Sequence, residues 1–164
     1  MRDWLVGGGI VASEGGLLLV RNRRRDGRVD WTPPGGVIDE GETLRDGLTR
    51  EVAEETGLRV THWRGPAYRV EAEAPDMAWR LRVEVHVAVT YEGDLHIDDP
   101  DGIVETARFV ATAECGALLD DAPRWVREPV SDWLADPWDD DRTYRYRVDG
   151  TTVAGLRVAR LDPD

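Results

Sequence analysis

Apolar and polar residues alternate most regularly between positions 80 and 90. Leucine or valine stands at 81, 83, 85, 87 and 89, with mainly polar residues between them. This two-residue period is that of a β-strand with one buried face. His86 lies on the polar side, so we expect it to face solvent or a cleft rather than to bind a ligand.

Shorter patterns predict further strands. Residues 4–12 and 17–21 are two such runs, joined by a turn-rich connection. Residues 58–72 are extended with an interruption at Pro66, and 103–110 form another apolar run. Together these runs predict a β-sheet.

The last stretch, 144–161, is typical of a β-hairpin, preceded by a linker at 136–141. Asp149 and Gly150 suit a two-residue type I′ turn. Three roles stay open for this hairpin: covering a sheet edge, contributing to a homodimer, or forming a wall of a substrate cleft.

Helical periodicity is strongest from 43 to 56. Thr43 suits the start of this helix, and Gly57 suits the left-handed residue after its end. Its apolar stripe consists of Leu44, Leu48 and Val52. Glu51, Glu54 and Glu55 overlap and flank that stripe, and Gly47 leaves room beside them. Like charges at this spacing repel one another, so the pattern predicts a divalent cation bound by carboxylates.

Two further helices are predicted near the C-terminus, at 112–119 and 122–135. Asp121 is the expected N-cap of the second, with Pro123 in its first turn. Pro129 should kink or split it. Strands and helices in this order predict an α/β fold, an α/β/α sandwich with a mixed sheet. We expect one domain over residues 1–164, with a core at 1–141 and the hairpin extension at 142–164.

The acidic helix lies within a longer motif. Its fixed positions are Gly36, Glu42, Arg50, Glu51, Val52, Glu54, Glu55, Gly57 and Leu58. This spacing resembles the Nudix box, GX5EX7REUXEEXGU, in which U is a bulky aliphatic residue. Trp31 to Gly35 is also similar to the turn that leads into the box in that family.

The resemblance implies the same sandwich fold and hydrolysis of a phosphoanhydride bond in a nucleoside diphosphate linked to another group. It assigns Glu51, Glu54, Glu55 and the Gly35 carbonyl to Mg²⁺ or Mn²⁺. Glu54 is the preferred general base, although another box acid or an acid outside the box is an alternative. Arg50 and Glu42 are expected to form an ion pair that orients the ligands.

In the family a further acid outside the box often completes the site. The acidic turn before 103–110 offers four candidates, of which Asp101 and Glu105 are preferred; the others are Asp98 and Asp99. A solvated acidic turn is the alternative interpretation.

Five arginines lie between positions 21 and 28. We expect some of them to hold substrate phosphates. All five are candidates, namely Arg21, Arg23, Arg24, Arg25 and Arg28, and Arg21, Arg23 and Arg25 are preferred. A solvated basic loop is the alternative.

Composition limits the partners. A net charge of −12 over 164 residues argues against nucleic-acid polymers and anionic membranes. The single cysteine, Cys115, is expected to be a free thiol. With no signal peptide or apolar span evident, we expect a cytoplasmic protein with a nucleotide-type small-molecule substrate.

Function and substrate have alternatives. A Nudix-like domain that senses a nucleotide without cleaving it is the second hypothesis, and an isomerase acting on a diphosphate ester is the third. Nucleoside triphosphates and ADP-ribose are equally supported substrates, the latter by Pro75, near where ADP-ribose hydrolases in the family carry a proline. Trp31, Trp63 and Trp79 are candidates for stacking a base.

Overall fold

The computed structural model describes residues 1–138 and 140–161. Its ten strands are β1 (Arg2–Ile10), β2 (Ala12–Ser13), β3 (Gly16–Arg23), β4 (Val29–Thr32), β5 (Gly35–Val37), β6 (Arg59–Ala74), β7 (Trp79–Glu92), β8 (Val104–Val110), β9 (Arg142–Asp149) and β10 (Arg157–Arg160). Its three α-helices are α1 (Leu44–Thr56), α2 (Thr112–Leu119) and α3 (Arg124–Ala135). The strands and helices predicted from periodicity are therefore present, with shifted ends.

The strands form two sheets. The larger has six strands in the order β10-β9-β6-β7-β1-β5, and it is mixed because β1 runs parallel to β7 and β6 runs parallel to β9. In the smaller sheet β3 pairs with β2, β4 and β8, all antiparallel. The predicted mixed sheet is confirmed; the separate second sheet is an addition to it.

Two apolar clusters hold the layers together. One packs α1 against the sheets through Leu48, Val52 and Trp63. The other lies on the α2 and α3 side and contains Val70 and Val130 among its buried residues. Helices therefore cover opposite sides of the sheets, and the predicted α/β/α sandwich is confirmed.

Helix α1 starts and stops where the sequence predicted. The Thr43 hydroxyl accepts a hydrogen bond from the Asp46 N–H at 3.1 Å, which caps the first turn. Gly57 ends the helix with a φ of 82°, and a β-carbon there would lie 2.6 Å from the Asp94 carbonyl oxygen. Only glycine fits this stop, because both the conformation and the space exclude a side chain.

The expected exposure of His86 was wrong. His86 is only 4% exposed, and its Nε2 lies 3.2 Å from the Glu84 carboxylate. The β6 register shifts between Arg64 and Tyr68, and Gly65 in that bulge lies against the imidazole. Burial lowers the pKa of His86.

Helix α3 also differs from its prediction. It begins at Arg124 with Pro123 at the N-cap position, so Asp121 does not cap it. The helix is not split at Pro129 but continues to Ala135. A proline at this point removes one intrahelical hydrogen bond, and packing of its buried face, with Val130 fully buried, holds the helix together.

The C-terminal strands extend the large sheet beyond β6. Strand β9 pairs in parallel with β6, which covers that edge. Buried Tyr144 and Tyr146 on β9 donate hydrogen bonds to Asp132 and Glu128 of α3, each at 2.9 Å. The first of the three proposed roles is therefore observed. Residues 162–164 of the predicted hairpin segment lie outside the described residues.

The predicted two-residue turn at Asp149 and Gly150 was wrong. Residues 150–156 separate β9 from β10 and include a short 3-10 turn, Val153–Gly155. Gly150 begins this longer loop, and its N–H donates to the Asp76 carboxylate at 2.8 Å. In the predicted linker, Asp139 lies outside the described residues, whereas Trp138 Nε1 donates to the Ala67 carbonyl at 2.7 Å.

Among the described residues, none of the helices is long and apolar enough to span a membrane.

Leu48→Ala tests the packing of α1. Leu48 is fully buried, so we expect the free energy of unfolding to fall by about 2–5 kcal/mol through lost burial and a cavity. Denaturant titration measures this change. Leu161→Ala is the control, since Leu161 is 50% exposed. Its free energy of unfolding should lie within about 0.5 kcal/mol of the wild-type value. Equal effects of the two substitutions would contradict the assigned packing.

Candidate active site

A cavity of about 760 Å³ lies between the two sheets. Both sheets, α1 and the loop between β7 and β8 supply its lining. A volume of this size accommodates a small-molecule ligand. The arrangement therefore brings the acidic face of α1 to the wall of a ligand-sized cleft.

All three predicted glutamates of α1 line this cavity. Glu51 and Glu55 are 8% and 9% exposed, while Glu54 is half-buried. Glu55 accepts a hydrogen bond from the Gly35 N–H at 2.8 Å. Gly35 stands at the start of β5, so the strand that precedes the helix also positions its acids.

Arg50 connects these carboxylates. Its Nε and Nη2 donate to the two oxygens of Glu42 at 2.9 and 2.8 Å. Its Nη1 donates to Glu51 at 3.0 Å and to Glu54 at 3.3 Å. The two-point pair fixes the plane of the guanidinium. The structure thus shows the expected Arg50–Glu42 pair, and Arg50 also contacts two of the acids.

The pKa values follow these contacts. Arg50 and the Asp39 N–H lower the pKa of Glu42 to about 2, and pairing with the acids raises the pKa of Arg50. Burial raises the pKa of Glu51, against the opposing effect of Arg50. Burial raises the pKa of Glu55 to about 8. Glu51 and Glu55 are therefore carboxylates whose charge the protein alone compensates poorly.

The glycines beside these acids leave no spare room. A β-carbon at Gly36 would lie 2.5 Å from the Glu51 carboxylate. At Gly47 it would meet Ile38 at 2.8 Å and Glu42 at 2.9 Å. The expected space for a ligand beside Gly47 is therefore filled by the chain itself, and the acids open instead toward the cavity between the sheets.

The candidate acids outside the box separate into two groups. Asp101 lines the cavity, and its charge contributes to the raised pKa of Glu51. Asp99 lines it too, but its carboxylate accepts N–H groups of Asp101, Ile103 and Val104 at 2.9 to 3.1 Å, which orders the loop. Glu105 points elsewhere, since it pairs with two arginines of β3. The structure supports Asp101 over Glu105 as a cavity residue.

The arginines chosen from sequence do not reach the cavity. Arg21 and Arg23 pair with Glu105, and Arg25 is exposed. Arg24 and Arg28 of the same segment line the cavity instead. Strand alternation explains the positions of Arg21 and Arg23, because both lie on the face of β3 that meets Glu105 of β8.

Several cavity residues were missed by sequence reasoning. Asn22, Asp30 and Thr32 form a hydrogen-bonded group in its wall. Trp125, predicted as core, lines it as well, whereas Trp31, Trp63 and Trp79 do not. The signal that could have revealed this group is the pairing of Asn22 with Asp30 across two strands. Recognising it requires the register of β3 and β4, which the structure provides.

The donor set fits a hard divalent cation. Carboxylate oxygens are the preferred ligands of such ions, and the buried Glu51 and Glu55 would gain a compensating charge. Among residues 1–138 and 140–161, no three acidic, histidine or cysteine side chains already converge in a metal-holding arrangement. Arg50 donates hydrogen bonds to one oxygen each of Glu51 and Glu54, so a cation bound by those oxygens would have to replace these contacts.

Comparison with known proteins identifies the family. A family model described as the NUDIX domain matches residues 4–134. This chain therefore belongs to the NUDIX family.

Curated relatives share short segments with the chain. A "MutT-like protein" of Streptomyces ambofaciens is 48% identical over 52 residues, 32% of each chain. An "Oxidized purine nucleoside triphosphate hydrolase" of Mus musculus is 46% identical over 44 residues, 27% of this chain and 28% of that one. An "ADP-ribose pyrophosphatase" of Methanocaldococcus jannaschii is 34% identical over 50 residues, 30% of each chain. The matches span about a third of the relatives' length.

Solved structures share the fold. The MutT protein of Bacillus halodurans has a TM-score of 0.63 at 20% identity, covering 94% of this chain and 97% of that one. The E. coli ORF135 protein has a TM-score of 0.67 at 20% identity, covering 85% and 96%.

Gly36→Ala tests the positioning of Glu51. The added methyl group would displace the Glu51 carboxylate, a flexible side-chain end, so the fold should persist while the acids lose their arrangement. We expect Mn²⁺ affinity, measured by titration calorimetry, to fall about tenfold or more.

Gly116→Ala is the matched control for this substitution. No atom lies within 4 Å of a β-carbon at Gly116, so Mn²⁺ affinity should equal that of the wild type. Wild-type affinity in Gly36→Ala would contradict the positioning of Glu51 by β5.

Proposed function

We propose that this protein is a metal-dependent pyrophosphohydrolase. It hydrolyses a phosphoanhydride bond in a nucleoside diphosphate linked to another group. The observation that supports this most strongly is that Glu51, Glu54 and Glu55 all line one ligand-sized cavity, in a chain that belongs to the NUDIX family.

The metal ligands in this proposal are Glu51, Glu54, Glu55 and the Gly35 carbonyl, and the cation is Mg²⁺ or Mn²⁺. Such an ion neutralises a diphosphate and lowers the pKa of a bound water. Arg50 and Glu42 keep the carboxylates in place. Glu55 is further oriented by the Gly35 N–H, at 2.8 Å.

Glu54 is the proposed general base. It is more exposed than Glu51 or Glu55, and among the described residues its carboxylate has one hydrogen bond, the 3.3 Å contact with Arg50. A water oxygen forms the new bond to phosphorus, its proton passes to Glu54, and the bridging oxygen leaves with the departing phosphate or nucleotide group. Asp101, across the same cavity, is the proposed additional acid.

Two substrate classes remain in the proposal. Relatives whose names specify hydrolysis of oxidised purine nucleoside triphosphates and of ADP-ribose both match the chain. Both compounds contain a nucleoside diphosphate. Net charge argues against polymeric nucleic acid as partner; a cytoplasmic location and a homodimer stay predictions.

Glu54→Gln and Glu55→Gln, made separately, test this function. With Mg²⁺ present, each substitution should lower kcat/KM by about tenfold or more. Glu54→Gln removes the base, and Glu55→Gln removes a charged metal ligand. The assay measures release of phosphate and nucleoside monophosphate from four kinds of substrate: nucleoside triphosphates, ADP-ribose, sugar nucleotides and dinucleoside polyphosphates.

Two results would contradict the proposal. Full activity in both variants would show that the carboxylates are misassigned. Tight nucleotide binding by the wild type without any product would favour the alternative, a nucleotide-sensing module.

A further inference from the structure

A polar group buried in the cavity wall takes no part in the mechanism above. Asn22 and Asp30 are 3% and 5% exposed and face each other across β3 and β4. The Asn22 Nδ2 donates to the Asp30 carboxylate at 3.1 Å and to the Thr32 hydroxyl at 2.9 Å. Arg24 donates Nε and Nη2 to the two Asp30 oxygens at 3.1 and 2.8 Å. Asp30 therefore binds both Asn22 and Arg24, and Asn22 links it to Thr32; these four residues form one network.

Asp30 dictates which atoms the network offers to a ligand. A carboxylate paired with arginine only accepts hydrogen bonds, so Asn22 must turn its amide nitrogen toward it. The carbonyl Oδ1 of Asn22 is then available as an acceptor, because it has no hydrogen-bond partner within the described part of the chain. Nη1 of Arg24 is likewise without one there. The wall thus presents a fixed acceptor and a fixed donor.

The network is better suited to a neutral group than to a phosphate. The charges of Arg24 and Arg28 are compensated by pairing with Asp30 and Asp26. Glu55 and Asp99 line the same cavity. A phosphate would meet little net positive charge at this wall. Directional hydrogen bonds to a neutral polar edge carry no such penalty.

The other sheet supplies apolar surface to the same cavity. Val70 of β6 and Leu81 and Val83 of β7 are among its lining residues. A flat group with apolar faces and a polar edge matches a cavity with one apolar and one hydrogen-bonding wall. A nucleobase has this chemistry, with N–H groups and ring or carbonyl acceptors along one edge.

We propose that Asp30 is a positioning residue for nucleobase recognition. It holds Asn22 as the acceptor for a base N–H and Arg24 as the donor to an acceptor on the same base. This inference rests on the proposed function, because it takes the ligand to be a nucleoside diphosphate derivative.

Asp30→Asn tests the inference with an isosteric change. An amide at position 30 pairs with either orientation of Asn22 and loses the ion pair to Arg24. Dissociation constants are measured by calorimetry for ATP, GTP, CTP, UTP, ADP-ribose and inorganic triphosphate, with Ca²⁺ replacing Mg²⁺ for compounds that are turned over. Relative to the wild type, we expect the dissociation constant of the nucleotide that binds best to rise about tenfold or more. The dissociation constant of inorganic triphosphate should stay within about twofold. The differences in affinity among the nucleotides with different bases should become smaller. KM should change more than kcat.

Two comparisons separate positioning from general damage. Glu71→Gln removes another carboxylate paired with an arginine, Arg145, outside the cavity, and should leave all dissociation constants unchanged. In an Asn22→Ala background, Asp30→Asn should narrow the differences in affinity among bases by less than it does in the wild type, because only the Arg24 contact is left to lose. Inorganic triphosphate reports folding within the same variant, since a misfolded protein would lose it too.

Three results would overturn the inference. They are an equal loss of nucleotide and triphosphate binding in Asp30→Asn, an unchanged spread among bases, and a wild type that binds triphosphate as tightly as every nucleotide. Failure of the proposed function looks different: the wild type would discriminate among bases without cleaving any of them.

Discussion

The burial of like-charged carboxylates on α1 is the constraint on which this structure depends. Glu51 and Glu55 are placed against β5, where an isolated ionised group is costly. Within the protein, Arg50 is the group that offsets this repulsion most directly, and it is held by both oxygens of Glu42. Arg50 still leaves Glu55 without an ion pair in the described residues, which is why a cation is the natural completion of the site.

The surrounding elements fit that constraint. Gly36 lets β5 pass against Glu51 without a side chain, and the Gly35 N–H binds Glu55. The β7–β8 loop closes over the end of α1, where the N–H groups of His96 and Asp98 donate to the Thr56 and Glu54 carbonyls. The same loop carries Asp101 to the cavity. Helix, strand and loop thus converge on one set of carboxylates.

Local signals predicted much of the fold and of the site. Thr43 and Gly57 predicted the ends of α1, and the spacing of its glutamates indicated that they lie at one site. Features set by long-range pairing were missed: His86 is covered by a bulge of β6, and Glu105 meets arginines because β8 pairs with β3. The Asn22, Arg24, Asp30 and Thr32 network depends on the register of two strands. No local pattern encodes such pairings.

The most direct test of the central claim is thermal unfolding with and without Mg²⁺ or Mn²⁺, comparing the wild type with Glu55→Gln. Without a cation the variant should unfold at no lower temperature, because a carboxyl group that is costly to ionise at this buried position is replaced by a neutral amide whose oxygen still accepts from Gly35. Added cation should raise the Tm of the wild type, since it binds only the folded state, and should raise that of the variant much less. Equal cation-induced shifts in both proteins, or no shift in the wild type, would contradict the account.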